Sequence, residues 1–258
     1  MTSLRLDFIH LRVSDLARAL DFYGDRLGFD VVHRDTAGAT LAVASGAPGL
    51  LTLTADPAAP RAPRHAAGLF HAALLLPSRA ALGGWLRRAA DRDVEFDGFS
   101  DHGVSEAIYL SDPDGNGLEF YADRPRERWP FAADGQVGMF TRPLAVPSLL
   151  AAAPAGSASP LAGARWGHLH LRVRDLERSG QFYRDTLGLV VTQSGYAGAR
   201  FLAADGYHHH LGLNTWGGVG APQPPGALGL ASARFSTDAH APAQLRDPDG
   251  IAIEVATA

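Results

Sequence analysis

The sequence predicts an α+β fold built from a repeated strand–helix unit, and three observations predict it. Residues 166–188, WGHLHLRVRDLERSGQFYRDTLG, and residues 6–28, LDFIHLRVSDLARALDFYGDRLG, are two copies of one segment in the same register. Short alternating apolar stretches recur between the copies and after them. A DPDG turn sits between strand-like segments at 112–115 and again at 247–250.

Each element has a local reason. In 168–173, His168, His170 and Arg172 face one side of a strand, and Leu169, Leu171 and Val173 face the other. Asp175 and Asp15 are placed to N-cap the helices that follow. Leu16, Leu20, Tyr23 and Leu27 form the stripe of a helix packed on a sheet. Gly28 and Gly188 stand where a helix C-terminal glycine belongs. Further strands are expected at 40–45, 50–54, 200–204 and 208–214. A weaker third copy opens at 68–90, GLFHAALLLPSRAALGGWLRRAA, and continues through EAIYLSDPDGNGLEFY, 106–121. The closing RDPDGIAIEVAT, 246–257, matches the second half of that copy, with GLASARFST, 229–237, as its first half. Little room remains there for a helix.

Four units follow, the last shortened: 4–55 and 68–123 in an N-terminal domain (1–123), then 166–216 and 226–258 in a C-terminal domain (166–258). Between them, 124–165 is read as a linker, on its Pro, Ala, Gly and Ser content after about residue 143.

Composition narrows the function. A chain of 258 residues has material for a large core. Net charge is −4, which gives no electrostatic case for nucleic acid or an anionic membrane. Apolar runs are too short to span a bilayer, no signal-like segment opens the chain, and the expected compartment is the cytoplasm. There is no cysteine, so thiolate ligands and disulfides are excluded. Eleven histidines point any metal site toward imidazole and carboxylate ligands.

The repeat shows where such ligands lie. Counting back seven residues from the residue that begins each helix gives His168 from Asp175, His71 from Ser78 and Phe8 from Asp15. In the short fourth unit the same count from Asp238 gives Ala231. On the closing strands, Glu119 and Glu254 follow the two DPDG turns, whereas the equivalent strands of units one and three carry no Glu. Unit two therefore supplies one His and one Glu, and unit three one His. His10 and His170 lie two residues beyond the counted position and are read as structural or supporting. His10 is the rival that would complete a triad within the N-terminal half. Glu254 lacks a His in its own unit and is read as a relic or a structural polar residue.

The segments GLFHAALLLPSR, SDHGVSEAIYLSDPDGNGLEFYADRPRE and GYHHHLGLNTWGGVGAP carry a more specific resemblance. With the HLRV…FY…LG pattern, the chain resembles the vicinal oxygen chelate superfamily, and within it the two-domain catechol-2,3-dioxygenase-like ring-cleaving enzymes. That resemblance implies βαβββ units paired into open, cupped mixed sheets with a metal in the cup. It implies Fe(II), with Mn(II) accepted by the same donors, held by His71, His168 and Glu119. A 2-His-1-carboxylate face leaves adjacent coordination positions open. The substrates implied are a small aromatic diol and O2, with ring cleavage beside the hydroxyls.

An acid–base histidine is implied within His208–His210. Strand alternation sets 208 and 210 on one face, which favours His210, then His209. Tyr109, ten residues before Glu119, is implied to hold a substrate oxygen. His102 is a candidate contact to the substrate or to a ligand. Unlike the best-known layout, the ligand-bearing units lie on either side of the linker, so unit two is expected to pair with unit three and unit one with unit four. A glyoxalase-type metal lyase or isomerase is the second reading, disfavoured because one carboxylate survives where such sites use two. The third is a metal-free small-molecule-binding protein, disfavoured by the intact triad. Exposed edge strands of open cups make a homo-oligomer an expectation as well.

Overall fold

A computed structural model describes residues 3–63, 65–154, 161–218, 220–238 and 240–257. Residues 155–160 of the expected linker thus lie outside the described residues. The first unit holds β1 (Leu4–Val13), α1 (Leu16–Leu20), β2 (Asp30–Arg34), β3 (Gly38–Ala42) and β4 (Leu51–Ala55). The second holds β5 (Gly68–Leu75), α2 (Arg79–Ala90), β6 (Gly98–Asp101), β7 (Ser105–Ser111) and β8 (Gly117–Asp123). A two-residue strand, β9 (Arg142–Pro143), and α3 (Val146–Ala151) follow. The third unit holds β10 (Arg165–Arg172), α4 (Leu176–Leu187), β11 (Val190–Gln193), β12 (Ala199–Ala203) and β13 (Leu211–Asn214). The last comprises β14 (Gly229–Thr237), β15 (Ala243–Arg246) and β16 (Ala252–Thr257), with no helix among its described residues.

The helix starts follow the expected caps. Asp15, Ser78 and Asp175 each accept from a backbone N–H of the first turn. Gly188 closes α4 in the left-handed region at φ 68°. The first helix departs from expectation: beyond Leu20 it widens into a π-type turn over Asp21–Arg26, while Tyr23 and Leu27 still reach the core.

Two mixed sheets result. One runs β15-β16-β14-β1-β4-β3-β2 and joins units one and four. The other runs β11-β12-β13-β10-β5-β8-β7-β6-β9 and joins units two and three. Each sheet therefore draws on both halves of the chain. Within each half, a different set of bonds ties the units together. The Tyr23 hydroxyl donates to Asp112 (3.0 Å), and Ser14 and Arg18 bind Asp114, so the DPDG turn of unit two docks on the helix of unit one. In the same way Tyr183 donates to Asp247 (2.9 Å), and Arg174 and Ser179 meet Asp249. The tyrosine of each FY pair is thus a cross-brace, and the turns do more than reverse the chain. Trp85 of α2 stacks on Phe120 of β8 at 3.7 Å and closes the core behind the second sheet. Among the described residues, no helix is long and apolar enough to cross a membrane.

Candidate metal centre

The central pair of the nine-stranded sheet builds the site. Strand β5 runs antiparallel to β10 and parallel to β8. In that register Ala73 lies between His168 on one side and Glu119 on the other. His71 precedes Ala73 by two residues, so its side chain shares the same face. The small side chain of Ala73 leaves a hollow over which the three longer ones converge.

Glu119 Oε2 lies 3.0 Å from His71 Nε2 and 3.0 Å from His168 Nε2, and the two Nε2 atoms are 3.3 Å apart. All three residues are buried. Donors on one face of an octahedron, each roughly 2.1 Å from an ion, stand about 3.0 Å apart. The observed triangle has that size. Burial lowers His168 to about 4, leaving its imidazole neutral near pH 7. Burial would raise the Glu119 carboxyl, but its interactions with His168 and His71 outweigh this and hold it well below the usual carboxylate range. A neutral imidazole and an ionised carboxylate are the forms in which these side chains ligate a divalent metal. The donors present therefore fit Fe(II) or Mn(II).

The open side of the triangle faces a cavity of about 250 Å³. Its walls are aromatic and apolar: Phe70, Phe140, Phe201, Trp216 and Met139, with no Lys or Arg among the lining residues. Tyr109 lies directly across the ladder from Glu119. Burial, followed by the nearby Glu119 charge, pushes its phenol well above the ordinary value, so it remains protonated. His102 Nδ1 is 2.7 Å from the Phe140 carbonyl and Nε2 is 2.7 Å from the Tyr109 hydroxyl. A carbonyl only accepts, so Nδ1 carries the proton and, in the neutral ring, Nε2 accepts from Tyr109. His170 pairs with His71 across the sheet and lies over Gly212, where an added Cβ would sit 2.8 Å from His170 Cγ.

His209 lines the cavity and His210 does not. The ring of His209 lies 4.0 Å from that of His168. His210 accepts from the Ala204 N–H, packs on Tyr207 and opens onto a separate hollow beside Arg165 and Trp166. The cavity-facing position expected of His210 is thus held by His209. Alternation assumes a strand, but regular pairing begins at Leu211, and 208–210 form an irregular lead-in. His10 sits in the other sheet, its Nε2 2.8 Å from Thr54 Oγ1, away from the three donors. Glu254 lies 3.0 Å from Arg234.

The stretch before β9 adds residues that sequence reasoning missed. Although it falls in the expected linker, it buries Trp129, Val137 and Met139 and straps the cavity. Val137 N–H donates to Thr192, Gln193 to the Met139 carbonyl, and Thr141 Oγ1 lies 2.8 Å from the Tyr196 hydroxyl. The Pro/Ala/Gly/Ser composition that suggests a linker begins only after this strap, and the alternate apolar spacing of Val137 and Met139 was its one available signal.

Comparison with known proteins agrees with this architecture. The chain is 42% identical to a Bacillus subtilis (strain 168) protein named catechol-2,3-dioxygenase over 239 residues, covering 89% of this chain and 83% of the relative. In fold it resembles a B. subtilis protein provisionally named a dioxygenase, with TM-score 0.66 and 14% identity over 98% of this chain and 84% of that one. It also resembles glyoxalase I from Zea mays, with TM-score 0.59 and 17% identity over 99% and 93%. The family model described as Glyoxalase/Bleomycin resistance protein/Dioxygenase superfamily matches residues 5–120 and 165–241, and the chain belongs to that superfamily.

Proposed function

We propose that the protein is an extradiol dioxygenase that opens the ring of a small, neutral catechol beside its two hydroxyls, using Fe(II) and O2. The observation that carries this reading is the convergence of His71, His168 and Glu119 at facial-ligand spacing, with the open face toward a cavity walled largely by aromatic side chains. The 42% identity to a protein named catechol-2,3-dioxygenase supports it. The metal bound there would supply open positions for the diol and redox chemistry for dioxygen.

The other residues act on protons, orientation and water. His209 faces the cavity next to His168 and is the group for taking a proton from the diol and returning one later. Tyr109, whose proton is engaged by His102, turns its oxygen lone pairs to a substrate hydroxyl. Phe70, Phe140, Phe201 and Trp216 clamp the ring and exclude water. The cavity, about 250 Å³, lies below the roughly 300–1,000 Å³ of pockets for drug-sized ligands, which suits one ring with a small substituent. With no Lys or Arg in its walls, nothing there pairs a ring carboxylate.

The test is anaerobic reconstitution with Fe(II), then exposure to O2 with a panel of catechols. Catechol and alkylcatechols should give the yellow ring-fission product, and carboxylated catechols far less. Protein with stoichiometric iron that opens none of them would overturn the reading.

A further inference from the structure

A second row of polar side chains stands behind the cavity wall, unused by the reaction as described above. Asp123 ends β8, four residues after Glu119 on the same sheet face. Its Oδ1 lies 2.8 Å from His208 Nε2. On the far side of that ring, His208 Nδ1 lies 2.8 Å from His209 Nδ1. The Tyr207 hydroxyl also donates to Asp123, at 3.0 Å to Oδ2. His208 is fully buried, its ring 4.0 Å from Tyr207 and 5.1 Å from Trp129, so it is held in one orientation.

Hydrogen-bond logic fixes the protons along this row. A carboxylate only accepts, so His208 Nε2 carries a hydrogen. In the neutral ring His208 Nδ1 is then an acceptor, and the nitrogen facing it, His209 Nδ1, must be the donor. His209 Nε2 is left with its lone pair, and among the described residues it has no hydrogen-bond partner. A ring in the other tautomer, with hydrogen on Nε2, would have nothing with which to take a proton from a diol.

We propose that Asp123 and His208 are positioning residues that set the tautomer and orientation of His209, so that its unprotonated Nε2 faces the substrate. The tautomer assignment stands on the geometry alone, and its consequence for turnover rests on the dioxygenase reading. The arrangement follows a general pattern in which a base is oriented by a third group through its other ring nitrogen.

Histidine-selective 15N NMR on the full chain loaded with diamagnetic Zn(II) reads the tautomer directly. His209 should show a protonated Nδ1 and a bare Nε2. In His208→Leu and Asp123→Leu that preference should be lost. Gln at 208 donates to Asp123 and accepts from His209, so His208→Gln should restore it. With Fe(II) loaded, the two Leu variants should keep iron content and KM within about twofold while kcat falls about 10²-fold, and His208→Gln should recover most of kcat. A wild-type spectrum with hydrogen on His209 Nε2, or an unchanged tautomer in both Leu variants, overturns the assignment. A lost tautomer with unchanged kcat overturns the positioning role. If the tautomer is as assigned but the wild-type protein opens no diol, the dioxygenase reading fails and the assignment stands.

Discussion

Loading the site with a divalent ion should raise the melting temperature, and His168→Ala should remove that rise while His10→Ala keeps it. The magnitude follows from where the donors lie. His71 and Glu119 come from unit two and His168 from unit three, brought together through the β5–β10 ladder. The unfolded chain therefore holds no preformed site, and binding free energy becomes folding free energy. At free metal about 100 times Kd, the gain is about 2.7 kcal/mol. At roughly 2–4 °C per kcal/mol for a chain of this size, Tm should rise by roughly 5–11 °C. Removing a direct ligand should cost at least the roughly 10–100-fold in affinity that follows loss of a ligand's outer hydrogen-bond partner. A 100-fold loss leaves about 0.4 kcal/mol at the same metal concentration, a shift of roughly 1–2 °C. The assay is differential scanning calorimetry with and without Mn(II), which avoids oxidation during the scan, paired with elemental analysis after desalting. A shift retained in His168→Ala and lost in His10→Ala would refute the reasoning and move the site into the N-terminal half.

Three further outcomes are expected. His209→Phe should keep its metal while turnover falls about 10²–10⁴-fold, and His210→Phe should stay near wild-type turnover; the reverse pattern in a stopped assay would restore His210 to the proton role. Tyr23→Phe and Tyr183→Phe each strip a donor from a buried aspartate and should cost about 1–3 kcal/mol in urea unfolding, with additive effects because the two braces lie in different halves of the chain; unchanged midpoints would show that the braces contribute nothing. Residues 1–145 expressed alone should give poorly dispersed NMR spectra and hold no stoichiometric iron, because β5 loses its partner β10 and the site loses His168.

The parts of this fold legible in the sequence are those set by local spacing. The strand-to-helix connection has nearly the same length in each copy, so counting back from the capping residue finds His71 and His168 without any alignment. Glu119 is legible because a DPDG turn sets the phase of the strand after it. What was lost depends on contacts between distant segments. Both partners of the Tyr23–Asp112 bond were visible as motifs, but nothing local says that a helix of one unit docks on the turn of the next. The strap was hidden because its few apolar residues are spaced by Gly and Pro and find their partners, Phe201 and Val104, only in three dimensions. Which of His209 and His210 faces the cavity was not legible for a different reason: a period of two applies only where the ladder is regular.

The sheet of units one and four repeats the scaffold without the converging donor set among its described residues. Its backbone repeats the arrangement, with Glu254 on the closing strand after a DPDG turn, as Glu119 is in the other sheet. Yet Phe8 occupies the counted position, and Arg234 lies beside it in the ladder and over its ring, 5.3 Å from the centroid. The same guanidinium lies 3.0 Å from Glu254 in a half-exposed ion pair. Glu254 thus has a guanidinium as its neighbour, and among the described residues it joins no cluster of metal-ligating side chains. In the other sheet the buried Glu119 meets the Nε2 atoms of His71 and His168 and, among the described residues, no guanidinium, so three donor atoms converge there. The candidate metal centre thus differs from its counterpart by a few side chains on a duplicated scaffold, while the other copy braces the turn that precedes the Glu119 strand through Tyr23 and Arg18.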